Sequence, residues 1–171
     1  QKIITLYQKY DLPQRTLQGL RMEPFDHQRE AIEWIFSLYR CSLESKQMIK
    51  GGILADDMGL GKTFSSLLGM KAILEFAREN DIKNTTEKKL EKCFMVVAPL
   101  SLLTNWKNEV SKFFENSPFT DVIILNSQED LNRFKLKKGD ERKQFLTDDG
   151  NKIEESNIQY CLKIGKSFHE D

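Results

Sequence analysis

The chain is 171 residues long, 39% hydrophobic and 30% charged, and its 26 basic and 26 acidic residues cancel to a formal net charge of zero. That profile fits one globular domain and excludes a disordered chain, and it supplies no bulk basic field to hold nucleic acid. No apolar run approaches the roughly 18 residues that a membrane helix needs, and the opening residues do not read as a secretory signal. Cys41, Cys93 and Cys161 are odd in number and show neither Cys-x-x-Cys nor Cys/His spacing. Neither a zinc site nor a disulfide frame is supported, and a reducing compartment is expected. Gln1 at the first position and an abrupt end at Asp171 give the expectation of a fragment of something longer.

Residues 1–20 mix aromatic, basic and polar types without a clean period and are read as a lead-in segment with no assigned function. Pro24 marks a boundary, Asp26 is the expected N-cap, and Ile32, Ile35, Phe36 and Tyr39 recur at helical spacing. They predict an amphipathic helix ending near Tyr39. On residue chemistry alone, Gln28 at its start is an exposed polar residue, yet its amide carries the donor and acceptor needed to read the edge of adenine. His27 has no metal-like neighbour and is read as a surface or capping residue. Residues 40–50 are polar and predict a loop.

The chain then runs Gly51-Gly52-Ile53-Leu54-Ala55-Asp56-Asp57-Met58-Gly59-Leu60-Gly61-Lys62-Thr63. This reads as a short buried strand (Ile53 to Ala55), a glycine-rich turn, and a helix starting at Lys62. A Gly-x-Gly-Lys-Thr ending in that setting is the local form of a phosphate-binding loop. Glycine at 59 and 61 lets successive backbone N–H groups converge on one concavity, and the following helix aims its dipole there. Lys62 brings a compact charge to the outer phosphates, and the Thr63 hydroxyl is a ligand for Mg²⁺. The strict pattern asks for Gly five residues before Gly61, where this chain has Asp56.

Phe64, Leu67, Leu68, Ala72, Ile73 and Phe76 carry the helix to about Asn80, with Gly69 allowing a close approach to a strand. Residues 80–92 predict a solvated, charged linker. Cys93 to Ala98 is a continuous apolar run closed by Pro99, which suits a strand covered on both faces of a parallel sheet. Strand, helix and strand in this order make a βαβ unit. The following turn then falls on the same sheet edge as the phosphate loop, where ligands collect. There Ser101 is an adequate N-cap, and Trp106 is preferred as a core anchor. Residues 121–126 predict a third strand, Ser127 to Asp130 a capped helix start, residues 135–157 a polar insertion, and residues 158–164 a fourth strand. The fold class is α/β with a mostly parallel sheet flanked by helices.

Three of these stretches resemble one family. Asp-Asp-Met-Gly-Leu-Gly-Lys-Thr is similar to the nucleotide loop of the Swi/Snf-type DNA translocases, the remodelling branch of helicase superfamily two, which carries an acidic residue at this point. The Phe25-Asp26-His27-Gln28 stretch resembles the family's opening motif, and Pro-Leu-Ser-Leu-Leu-Thr-Asn-Trp from Pro99 resembles its second motif. The resemblance covers about half the chain. It implies an incomplete first RecA-like lobe, a P-loop ATPase using ATP and Mg²⁺, over residues 21–171. It also implies a parent protein that moves along double-stranded DNA in the nucleus, remodelling chromatin, meeting nucleosomes or displacing DNA-bound proteins. By that resemblance Gln28 recognises adenine and Phe25 packs near the base. Asp56, Asp57, Met58, Gly59, Leu60, Gly61, Lys62 and Thr63 wrap the phosphates, with Lys62 as the catalytic cation and Thr63 on the metal. Pro99, Leu100, Ser101 and Asn105 would face DNA. Asp57 and the Leu-Tyr-Arg stretch at Leu38 point toward the repair and mitotic branches.

Catalysis of this kind needs an Asp-Glu pair on a later strand, and no such motif follows Val110; Asp140-Glu141 lies in a charged stretch with no strand before it. The second lobe that supplies an arginine finger in the family is absent as well. The chain alone is therefore expected to hydrolyse ATP negligibly. Two other readings are a P-loop enzyme or kinase without DNA dependence, and a RecA-like module that serves only as an interaction surface.

Overall fold

The computed structural model describes residues 8–44, 51–83 and 94–133. Helix α1, Asp26–Glu44, forms where the apolar spacing predicts it and continues past Tyr39. Its N-cap is Phe25 rather than the expected Asp26. The Phe25 carbonyl accepts the first helical bond from the Arg29 N–H at 2.9 Å. Gln28 Oε1 reaches back to accept from the Phe25 N–H at 3.0 Å, the returning half of a capping box. Asp26 instead places its charge in the first turn, where the helix dipole favours it.

Helix α2, Lys62–Lys83, follows the glycine-rich turn. It packs on α1 at a point of close approach: a Cβ added at Gly69 would lie 2.7 Å from Ile35 Cγ2 and 3.1 Å from Ile35 Cβ. Gly69 thus meets a helix, not the strand expected from the sequence. A 3-10 turn, Leu100–Leu102, leads into helix α3, Leu103–Phe113. The position before α3 is Leu102, with no side-chain cap, so Ser101 is not the N-cap the sequence suggested.

The core is built from Ile32 on α1, Phe64, Leu67 and Leu68 on α2, and Val110, Phe113 and Phe114 at the end of α3. The Phe64 and Phe113 rings meet at 4.5 Å between centroids. Trp106 packs against this cluster, in the anchoring role preferred for it. Ile32 and Leu68 are fully buried, worth about 1.5–3 kcal/mol each. The exposed Lys112–Glu109 pair at 3.1 Å is worth roughly 0–1 kcal/mol, so packing decides the fold.

The lead-in segment joins the same core. Leu12, Leu17 and Leu20 pack against it, and Thr16 is fully buried. Leu20 forms an antiparallel bridge with Phe114, flanked by the Arg21 N–H on the Phe113 carbonyl at 2.9 Å and the Glu115 N–H on the Gly19 carbonyl at 3.0 Å. The Tyr10 N–H donates to Ser37 Oγ at 2.9 Å. The Arg40 guanidinium lies between the Tyr10 and Phe76 rings, 4.5 and 4.3 Å from their centroids. Cys41, the cysteine among the described residues, is buried, and its thiol donates to the Gln8 carbonyl at 3.6 Å.

The predicted strands are corrected. Among the described residues no β-ladder forms: Ile53 to Ala55, the Phe94–Ala98 part of the second run, and residues 121–126 carry no strand pairing. Ile53 is 88% and Val97 89% exposed. Continuous apolarity encodes a demand for cover on two faces, but a strand exists only through hydrogen bonds to a neighbour. Here α2 packs on both α1 and α3, and their shared core forms without a sheet.

The described residues from Ile123 to Arg133 belong to a second unit and hold helix α4, Gln128–Arg133. Its start is the capping pattern read from the sequence. Ser127 Oγ accepts from the Asp130 N–H at 3.1 Å, and an Asp130 carboxylate oxygen accepts from the Ser127 N–H at 3.2 Å. The expected fourth strand, the polar insertion, most of the charged linker and Asp140-Glu141 lie outside the described residues.

Two outcomes are expected. Gly69→Ala gains about 1 kcal/mol of helix propensity but pushes a methyl into the branched Ile35 side chain, an overpacking cost of about 1–3 kcal/mol. Chemical denaturation should show net destabilisation, and a more stable variant would contradict the packing. The second outcome concerns Lys71, which is buried and donates to the Gln18 carbonyl. Burial holds its ammonium below the ordinary value of 10.5, Glu75 opposing and Arg78 adding to the shift. As pH rises from that depressed value toward 10.5, the native chain has released a proton that the unfolded chain still holds. Stability should therefore climb across that window and fall back as pH drops through the depressed value. In Lys71→Met this climb should vanish from the pH profile of the unfolding midpoint.

Candidate functional site

The glycine-rich turn is held from behind by α1. Before the turn, Gly52 lies so close to α1 that an added Cβ would come within 2.7 Å of Trp34 and Leu38. A mostly apolar groove of about 320 Å³, lined by Trp34, Ile35, Leu38, Tyr39 and Gly51 among others, lies beside this approach rather than at Lys62. At the far end, Gly59 and Gly61 adopt φ of 91° and 80°, the left-handed conformations expected of them. A side chain at Gly61 would also strike the Gln28 amide. Between them the Leu60 N–H turns back to the Asp57 carbonyl at 3.4 Å.

The first helical bond of α2 runs from the Ser65 N–H to the Gly61 carbonyl at 3.0 Å. The N–H groups of Lys62, Thr63 and Phe64 therefore have no carbonyl within the helix to receive them. No acidic residue occupies the first turn of α2 itself; the nearby acids, Asp56 and Asp57, belong to the loop before it. Lys62 Nζ folds over the turn and donates to the carbonyls of Asp56 at 2.7 Å and Asp57 at 2.8 Å. Its ammonium is thus parked above the loop on two neutral dipoles. Met58, at the tip, is 96% exposed.

Gln28 is not the exposed polar residue that residue chemistry alone suggests: it is 7% exposed. Its Oε1 accepts from the Phe25 N–H, and its Nε2 donates to the Leu60 carbonyl at 3.0 Å. Those two backbone groups decide which way the amide faces, since a flipped amide would set donor against donor and acceptor against acceptor. One N–H and one oxygen lone pair remain unused. Phe25 is 70% exposed, with its ring nearly parallel to that of His27 at 13° and 5.9 Å. His27 Nε2 also approaches the Leu60 carbonyl, at 3.3 Å.

The structure thus gathers Phe25, Gln28 and the stretch from Asp56 to Thr63 into one locality. Pro99, Leu100, Ser101 and Asn105 form a separate exposed surface on the 3-10 turn and the start of α3. Among the described residues there is no group of three or more His, Cys, Asp or Glu arranged to hold a metal ion, and no helix long and apolar enough to cross a membrane. Sequence reasoning missed the link between α1 and the loop. The adjacency of His27 and Gln28 was visible, but nothing in a linear pattern identifies the carbonyl they share.

Gly61→Ala should combine the cost of a left-handed residue, about 1–2 kcal/mol, with displacement of Gln28. Hydrogen exchange of the amides from Asp57 to Lys62 should accelerate while α3 stays protected. Unchanged protection of the loop would contradict this arrangement.

Residues 27–158 match the model of the SNF2-related domain. The chain is 35% identical over 105 residues to the Zorya protein ZorD of Escherichia coli O139:H28, covering 61% of this chain and 8% of that protein. It is 29% identical over 177 residues to the DNA excision repair protein ERCC-6-like of Danio rerio, covering 88% of this chain and 11% of that one. To the chromodomain-helicase-DNA-binding protein 1-like of Mus musculus it is 35% identical over 109 residues, covering 64% and 10%. The chain spans about a tenth of the length of these relatives. No solved structure matches it. With all of α1 but its first residue, the glycine-rich loop, α2 and α3 inside the matched stretch, the chain belongs to the SNF2-related domain family, whose members share the RecA-like P-loop helicase fold.

Proposed function

We propose that this chain is the ATP-binding front of the first lobe of a Swi/Snf-type translocase, coupling ATP hydrolysis to movement along double-stranded DNA. The observation that carries the reading is the loop itself. Two left-handed glycines, an unsatisfied helix start and Lys62 above them converge at one point. That donor set fits a polyphosphate, because it offers N–H groups and one cation held on backbone carbonyls, with no acid in the first turn of α2. In this reading Asp56 to Thr63 wrap the phosphates, and Lys62 exchanges its two carbonyl partners for phosphate oxygens. Thr63, half-buried on the first turn of α2, would offer its hydroxyl to Mg²⁺, which supplies charge neutralisation when bound.

The unused N–H and lone pair of Gln28 match the N6 and N7 groups of adenine, and the exposed Phe25 ring gives the base a face to lie on. Pro99, Leu100, Ser101 and Asn105 would meet the phosphates of a DNA strand through backbone N–H groups and short polar side chains. Remodelling of chromatin or displacement of bound proteins, and a nuclear setting, belong to the same reading. The relatives named for excision repair and for a chromodomain helicase favour it. No acidic strand motif follows Val110 in the sequence, so this stretch would bind and orient ATP, with hydrolysis needing groups from elsewhere in a longer protein.

The test is the ATPase rate of the full-length protein without nucleic acid, with single-stranded DNA and with duplex. Stimulation by duplex alone is expected. Lys62→Ala should abolish turnover while circular dichroism shows an unchanged fold. Equal rates in all three conditions would remove the DNA half of the reading, and wild-type turnover in Lys62→Ala would remove the ATP half.

A further inference from the structure

We propose that His27 is a positioning residue for the phosphate loop, a role that rests on the nucleotide-binding reading above. The loop tip has little apolar burial to hold it: Met58 is 96% and Leu60 41% exposed. Its internal Leu60–Asp57 turn bond is long, at 3.4 Å. What fixes it from outside is the Leu60 carbonyl, which has two lone pairs and faces two side chains of α1, Gln28 Nε2 at 3.0 Å and His27 Nε2 at 3.3 Å. Both side chains leave the first turn of a 19-residue helix, so both anchors stand on a rigid support.

The two anchors are not equivalent. Gln28 is committed three ways: to the Phe25 N–H, to Leu60, and in the proposed function to the base. His27 has no such competing duty. Its ring stacks on Phe25 at 13°, which limits its rotation and keeps Nε2 turned toward the loop. With a proton on Nε2, as in one neutral tautomer and in the imidazolium, it donates to Leu60. When a base engages Gln28, His27 keeps hold of the carbonyl that precedes Gly61, and with it the direction of the Gly61 and Lys62 N–H groups.

Two substitutions in the full chain separate the hydrogen bond from the ring. His27→Phe keeps an aromatic ring beside Phe25 and removes the donor. His27→Gln keeps an N–H at similar reach and removes the ring. Hydrogen exchange of the amides from Asp57 to Gly61 is read without nucleotide, and affinity is read with a fluorescent ATP analogue. His27→Phe should speed exchange about two- to tenfold, the worth of one net hydrogen bond, and weaken the analogue by a similar factor, while His27→Gln restores most of both. Unchanged exchange in His27→Phe would overturn the proposal, as would His27→Gln behaving like His27→Phe. If the wild-type chain shows no Lys62-dependent binding of the analogue, the nucleotide reading falls, and the exchange data still decide whether His27 anchors the loop.

Discussion

The close approach of α1 and α2 at Ile35 and Gly69 is the constraint on which the other features depend. Two helices can come this near only where one of them has no side chain, and that contact sets the register of Ile32 and Phe64 in the core. It also sets what α1 presents on either side of the contact. Toward its N-terminal end Gln28 meets Gly61, and further along Trp34 and Leu38 meet Gly52. The loop is therefore clamped at both ends by one helix, which itself is held by burial. Packing supplies the stability; the polar contacts supply direction.

The loop carries an electrostatic tension that the same geometry resolves. In the proposed function, Asp56 and Asp57 bring two carboxylates into the loop that receives phosphate, which by themselves would repel it. The chain answers with the positive end of α2 and with Lys62, whose ammonium already rests on the backbone of those two residues. Holding it there satisfies the cation without pairing it to a carboxylate. A carbonyl dipole releases a charge more readily than a carboxylate does, so the cation stays available. The acidic residues then act as backbone supports, and their side chains remain free.

The elements legible in the sequence were those encoded by local chemistry. The 3.6-residue spacing gave α1 and α2, Gly-x-Gly-Lys-Thr gave the left-handed turn, and Ser127 with Asp130 gave the cap of α4. What escaped was everything that depends on a partner distant in sequence. The strands were read from apolar runs, yet Ile53 and Val97 have no ladder beside them. The aperiodic segment before Gly19 shows no pattern because its side chains enter the core singly: Leu12 and Leu17 pack against a cluster whose members run from Ile32 to Phe114, and Thr16 is buried. Gln28 read as exposed because a glutamine at a helix start is exposed unless a loop closes over it, and only the fold shows that loop.

The bridge between Leu20 and Phe114 has a consequence in time. Arg21 and its acceptor at Phe114 are separated by 93 residues, and ribosomes add roughly 5–20 residues per second. The segment before α1 must wait on the order of five to twenty seconds after its own synthesis before α3 exists to receive it. During that interval Leu12, Leu17 and Leu20 have no cover from Phe113 and Phe114. This segment is made well before it can be seated, and in that window a chaperone has an apolar handle that the finished structure partly covers.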